Sequence, residues 1–273
     1  MEQKRIKAWW PTTPLPGNAG DIITPFAIQH INREPCKVPG TSTGGPTTTP
    51  CLIGCGSIAK FARPGVRVWG SGIMRRSDPI DPEATWIAIR GPETLKALRA
   101  AGFDKSRGLI VGDPGLCLPL LYTPEGRRGG MGQGICLHYA DMRDEKITTP
   151  IMYGAGPTHI IGSVFSTLFA SPKEFVAHIC QHTHIHATSL HGMIIAHAYG
   201  IPARWYRAGE NLSGDGVKFS DYLQSVGLDE YDPVFDPDPI WSEHLPAPGV
   251  VERIGNDLMR GLVDYANGYY GKL

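Results

Sequence analysis

The sequence predicts an α/β fold made of two Rossmann-like lobes. Three observations predict it. Short apolar runs alternate with helix-patterned segments, the rhythm of βαβ units and parallel sheets. Glycine-rich or polar turns follow several of those runs, at the strand ends where ligands of such sheets bind. A looser stretch over residues 123–130, rich in glycine and arginine, separates two sets of these units. The expected division is residues 1–126 for an N-terminal lobe and 127–273 for a C-terminal lobe that carries His191 and a final helix.

In chain order, Asn18-Ala19-Gly20-Asp21 makes a polar turn before a first helix at 22–26. Residues 51–54 read as a strand entering Cys55-Gly56-Ser57, and 66–69 as another entering Gly70-Ser71-Gly72. A third strand, 86–89, ends at Arg90. Pro92 then opens a helix, Leu95, Leu98 and Ala101 repeat at helical spacing, and Gly102 closes it. Residues 109–111 form a strand stopped by Gly112-Asp113-Pro114. Beyond the linker, strands are expected at 134–138, 147–153, 183–187 and 204–207. Helices are expected at 172–181, 192–199 and 218–226. Val251, Ile254, Leu258 and Leu262 give residues 250–270 the spacing of a helix that packs back on a lobe.

Composition narrows the function. Lys plus Arg is 26 and Asp plus Glu is 26, so the chain lacks the basic footprint of a nucleic-acid binder. The N-terminus has no apolar core behind its basic residues, and the longest apolar stretch, 116–122, is too short to span a bilayer. Six cysteines at 36, 51, 55, 117, 136 and 180 form no CxxC pair, which predicts reduced thiols and a cytoplasmic protein.

Several residues stand where chemistry is expected. His191 follows a strand and begins a helix, where free N–H groups and the helix dipole favour an anion. A bound phosphate or carboxylate would raise its pKa, so the ring could change charge as ligand arrives; a plain capping histidine is the alternative. Arg90 stands at a strand end before a helix, with a fork suited to phosphate or carboxylate or to a neighbouring acid. Gly20 allows close backbone approach and Asp21 suits a helix cap, which leaves Asn18 unexplained. Lys218 opens a helix at the mildly unfavourable end of its dipole, which favours a partner; a plain solvated lysine is the alternative. His178, His182, His184, His186 and His191 crowd together, but no HExxH or paired-cysteine pattern accompanies them. No metal site is expected.

These pieces, in this order, resemble the polysaccharide pyruvyl transferase family. The carrying motifs are Gly17-Asn18-Ala19-Gly20-Asp21, Leu52-Ile53-Gly54-Cys55-Gly56-Ser57-Ile58, Val68-Trp69-Gly70-Ser71-Gly72 and Ile89-Arg90-Gly91-Pro92-Glu93-Thr94. They continue with Gly112-Asp113-Pro114, Leu137-His138-Tyr139-Ala140-Asp141, Ser189-Leu190-His191-Gly192, Tyr199-Gly200-Ile201-Pro202 and Lys218-Phe219-Ser220-Asp221-Tyr222. The resemblance implies a GT-B-like arrangement with a cleft between the lobes. It implies transfer of the pyruvyl group of phosphoenolpyruvate to a sugar of a polysaccharide or glycan precursor, giving a ketal and phosphate with no cofactor. It places Arg90, His191 and Lys218 in the catalytic donor site. Asn18, Gly20, Asp21, Gly70, Ser71, His138, Asp141 and Ser189 are the expected substrate-binding positions. His191 is a candidate general acid, and Asp21 and Asp141 are candidate bases. The acceptor is left open, a lipid-linked glycan and a membrane-surface position included, as is an oligomeric state. A nucleotide-sugar glycosyltransferase and a non-catalytic glycan- or anion-binding relative are the competing readings.

Overall fold

The computed structural model describes residues 5–12, 17–41, 44–104, 108–126, 130–148, 162–209, 214–234 and 244–268. Its architecture is mixed α/β with two parallel sheets. Six strands form the first: β1 (Arg5–Trp9), β2 (Glu34–Lys37), β3 (Cys51–Ile53), β4 (Val66–Ser71), β5 (Thr85–Ile89) and β6 (Ile110–Val111). Their order is β2-β1-β3-β4-β5-β6, every pair parallel. Four strands form the second: β7 (Gln133–Leu137), β8 (Gly162–Ser166), β9 (His184–Ala187) and β10 (Ala203–Trp205). Their order is β10-β9-β7-β8, again all parallel.

Local sequence accounts for most of these elements. β3 and β5 are apolar runs covered on both faces, as a central parallel strand requires. Helix α1 (Ile23–His30) follows the glycine-containing turn. Helix α2 (Pro92–Ala100) takes Pro92 in its first turn. The single turn Pro114–Cys117 is capped by Asp113, whose carboxylate accepts from the Gly115 N–H at 2.8 Å. Short helices α3 (Leu118–Leu121) and α4 (Tyr139–Met142) follow. Helix α5 (Pro172–Ile179) is capped by Ser171, which accepts from the Lys173 N–H. Helix α6 (Leu190–Ala198) is buried at all nine residues, so it runs through the core instead of lying over it. Helices α7 (Val217–Ser225) and α8 (Val250–Ala266) complete the chain.

Three expectations change. The strand expected at 147–153 does not begin as one: residues 145–148 are helical, and the rest lies outside the described residues. Strands β1, β2 and β8 were not read from sequence. β1 is the edgeward partner of β3 and alternates exposed and buried residues over only five positions, too short a pattern to stand out. The final helix, expected in the second lobe, packs on the first: it lies against β4, β5, β6 and the Pro114–Cys117 turn. Its Ile254 and Leu258 are buried there, and the Trp69 indole N–H donates to the Leu258 carbonyl at 2.8 Å.

The two sheets are joined by apolar packing. One cluster of buried side chains runs from Ile6, Leu52 and Trp69 through Leu116 and Ile194 to Phe219 and Leu258. The Asn18 loop adds backbone ties, with the Ala19 N–H donating to the Thr167 carbonyl at 2.8 Å and the Phe169 N–H to the Gly17 carbonyl at 3.2 Å. Among the described residues no helix is long and apolar enough to cross a membrane.

Candidate active site

The site collects at the carboxyl ends of β3, β5, β6, β7 and β9, where parallel strands leave backbone and loop groups free for ligands. His191 is the second residue of α6, which begins after β9. Its N-cap, Ser189, makes no side-chain cap hydrogen bond, so the first-turn N–H groups keep their demand for an acceptor. The His191 ring is almost fully buried. Its Nε2 lies 3.2 Å from Cys55 Sγ. Its other edge lies against Gly20, where a Cβ would fall 1.9 Å from Nδ1, so only glycine leaves space for the imidazole. Burial, then the charges of Arg90, Lys218 and His138, push this ring down to about 3, so the free protein holds it neutral.

Lys218 enters from α7 and is 5 % exposed. Its ammonium makes no ion pair within 4 Å and no hydrogen bond among the described residues. Burial first, and Arg90 second, lower its pKa to about 8; Asp141 opposes them. Its Nζ lies 5.3 Å or more from any ring: 5.4 Å separates it from the centroid of the Phe219 ring, and a largely buried ammonium with no hydrogen-bond acceptor favours an anion that would complete it.

Arg90 takes the neighbouring-acid alternative, but in the interior and not at the surface. It is fully buried, and its anion is already present. Nε donates to Asp221 Oδ2 at 2.9 Å, Nη1 to Ser57 Oγ at 2.7 Å and Nη2 to the Ile73 carbonyl at 2.6 Å. Asp221, on α7, also accepts from the Thr94 N–H at 2.9 Å and the Thr94 hydroxyl at 2.7 Å. It therefore fills the N-terminal anion position of α2 with a side chain from a distant helix. The fork reads a protein carboxylate, and that pair anchors α7 one turn beyond Lys218. Gly91 permits the approach: a Cβ there would fall 1.8 Å from the Asp221 carbonyl.

The remaining predicted residues divide into two groups. Asn18 donates from Nδ2 to Asp21 Oδ2 at 3.1 Å, while its Oδ1 is buried without a hydrogen bond. Burial raises the Asp21 carboxyl to about 7, the Asn18 bond opposing it. Asp141 accepts from the Thr188 hydroxyl at 2.5 Å, and Thr188 accepts from the His138 N–H at 2.7 Å. Burial raises Asp141, with Thr188 and Lys218 opposing; burial and Lys218 push His138 down to about 4. These groups border the His191–Lys218 region. Ser71 does not: it is fully buried, donates to the Gly56 carbonyl at 2.8 Å and accepts from the Ile58 N–H at 3.2 Å, which makes it a loop brace. Gly70 is held in left-handed backbone against Pro114.

Sequence reasoning gave no role to Cys55, Asp113, Thr188 or Asp221. All four stand inside the quoted motifs or beside one, so position marked them; their partners, 47 to 136 residues away, did not show.

A family model described as polysaccharide pyruvyl transferase matches residues 38–207. The chain belongs to the polysaccharide pyruvyl transferase family. The match takes in Arg90, His138, Asp141, Ser189 and His191, and leaves Asn18, Gly20, Asp21 and Lys218 outside it. An uncharacterized protein of Acanthamoeba polyphaga mimivirus is 31% identical over 216 residues, 78% of this chain and 72% of that protein. A crystal structure of a functionally uncharacterized protein of Klebsiella pneumoniae subsp. pneumoniae aligns with a TM-score of 0.47 at 11% identity, over 86% of this chain and 94% of that one. As a member of the pyruvyl transferase family, the protein is assigned to pyruvyl transfer in polysaccharide biosynthesis.

Proposed function

We propose that the protein transfers the pyruvyl group of phosphoenolpyruvate to two hydroxyls of a sugar, forming a cyclic ketal and releasing phosphate. The observation that carries this reading is Lys218, a buried lysine whose charge bears on His191 and whose ammonium has no anion within 4 Å among the described residues. Phosphoenolpyruvate brings a phosphate and a carboxylate on three carbons, which matches a cation, an imidazole edge and the open first turn of α6. The reading takes the space between the two sheets, in a GT-B-like arrangement, as the donor cleft.

In this mechanism Lys218 neutralises one acidic group of the donor, and His191 contacts the phosphate with the free N–H groups of α6. Arg90 belongs to the catalytic set as a positioning residue: through Asp221 it holds α7, and its charge adds to the positive field. Protonation of the donor methylene makes C2 electrophilic. A sugar hydroxyl then adds to C2, phosphate leaves with the C–O bond pair, and a second hydroxyl closes the ketal. Asp21, raised to about 7, is suited to accept a hydroxyl proton near neutral pH, and Asp141 is the second such carboxylate. Asn18, Gly20, His138 and Ser189 shape the walls. No cofactor enters this scheme.

The test is phosphate release from phosphoenolpyruvate with a panel of sugar acceptors, with pyruvylated product read by mass spectrometry. His191→Ala and Lys218→Met, each checked for folding by circular dichroism, are expected to lose about 10²-fold or more in turnover. Folded variants that both retain wild-type turnover would sink the assignment.

A further inference from the structure

We propose that Cys55, Asp113 and His191 form a binding site for one divalent cation of the Zn²⁺ type. The three side chains come from three segments: the turn after β3, the turn after β6 and the start of α6. All three are buried, and their ligand atoms lie within 4.8 Å of one another. Cys55 Sγ is 3.2 Å from His191 Nε2 and 3.4 Å from Asp113 Oδ1. A tetrahedral zinc with ordinary bond lengths separates its sulfur from its nitrogen or oxygen ligands by about 3.5 Å, so both sulfur pairs are spaced almost as ligands are, and the imidazole and carboxylate lie within 4.8 Å of each other.

A second, independent feature points the same way. Asp113 Oδ1 accepts from the Gly115 N–H and the Cys55 thiol, but Oδ2 is buried with no hydrogen bond. A fully buried, unpaired carboxylate oxygen is costly; because Oδ1 is the oxygen against the thiol, a cation there satisfies Oδ2 when the carboxylate binds through both oxygens. The donor chemistry selects the ion. Thiolate, imidazole and carboxylate together are a zinc set, whereas Mg²⁺ and Ca²⁺ demand oxygen. One thiolate and one carboxylate cancel the dication, so the loaded site is itself neutral; because only the thiol proton leaves, loading adds one net positive charge near Arg90 and Lys218. The thiol proton, now held on Cys55, leaves to solvent as the metal–sulfur bond forms.

The site shares His191 with the proposed donor pocket, and Asp21 and Arg90 act electrostatically on Cys55 and Asp113. A cation on Nε2 obliges His191 to carry its proton on Nδ1, the nitrogen against Gly20. The imidazole then faces that pocket as a hydrogen-bond donor.

The test titrates the full chain with Zn²⁺ and, in parallel, Co²⁺, in the absence of phosphoenolpyruvate. One equivalent of saturable binding is expected, with a thiolate-to-cobalt charge-transfer band in the near ultraviolet. One proton should be released per ion, and Mg²⁺ should not compete. Cys55→Ser and Asp113→Asn should each weaken Zn²⁺ by about tenfold or more, while Cys36→Ser, at a partly exposed site, should not. Absence of a one-equivalent, thiolate-bearing complex in the wild-type protein overturns the proposal, whether or not the variants fold. Undiminished Zn²⁺ affinity in folded Cys55→Ser overturns it too. Because no donor is present, either failure leaves pyruvyl transfer standing, and loss of that reading leaves this one.

Discussion

At the residue scale the decisive contrast is between Arg90 and Lys218. Both are buried cations, but Arg90 is satisfied by Asp221, Ser57 and Ile73, and Lys218 has no such partner. The motif around Arg90 was legible in sequence; its anion, 131 residues away, was not. Lys218 faces Arg90, Asp141, His138 and His191, and burial with Arg90 brings it to about 8. The charged lysine is the form that binds an anion. The value of kcat/KM for phosphoenolpyruvate should therefore fall above pH 8, approaching tenfold per pH unit. In Lys218→Arg, which stays charged, this limb should disappear; an unchanged limb in an active variant would count against Lys218 as the donor cation. Gly20 offers a second test. Gly20→Ala sets a methyl into the His191 ring, and a displacement near 1 Å should cost about 10²-fold in turnover. Thermal unfolding will separate that loss from unfolding.

At the scale of elements, α6 and α7 form the frame of the site. α6 is buried along its whole length, and His197 near its end ties it to its neighbours. Its Nε2 lies 3.1 Å from the Ala203 carbonyl, an acceptor only, so Nε2 carries the proton and Nδ1 accepts from the Tyr222 hydroxyl of α7 at 3.0 Å. Burial pushes His197 down to about 4, with Ala203 opposing and His244 bearing on the ring. An unfolded histidine titrates near 6.5. Between about pH 6.5 and 4 the unfolded chain binds a proton that the folded protein does not. Stability is therefore full above pH 6.5 and is lost as pH falls, by up to about 3 kcal/mol from this residue. Urea unfolding at stepped pH should show the fall, and His197→Gln should remove about one proton from its slope. Helical pattern made α6 and α7 visible in sequence, including both ends to within a few residues. Nothing in that pattern shows that Tyr222 and His197 meet, because a contact across 25 residues has no periodic signature.

At the scale of the whole molecule, the two sheets divide cleanly along the chain. All strands of the first precede residue 112, and all strands of the second follow residue 132. The core does not divide with them. One apolar cluster crosses from sheet to sheet, the Asn18 loop bonds to residues after β8, and α8 returns to the first sheet. Two separable lobes would unfold in two steps. Shared packing predicts one cooperative transition, with fluorescence and far-ultraviolet signals coinciding in denaturant. Leu258→Ala, in α8 against the first sheet, should lower stability by about 2–5 kcal/mol while the two signals still coincide. Separated transitions would show that the boundary between the sheets carries little of the folding energy.

The sequence by itself determined the α/β class, most strands and helices, and the family. Apolar periodicity, proline and glycine punctuation, and short ordered motifs are local, and local patterns survive in a string of letters. Only the tertiary structure decided that Asp221 answers Arg90, that Lys218 is left wanting an anion, and that Cys55 and Asp113 close on His191. Those outcomes depend on which distant side chains share a buried space, where an unpaired charge is expensive and a matched one is not.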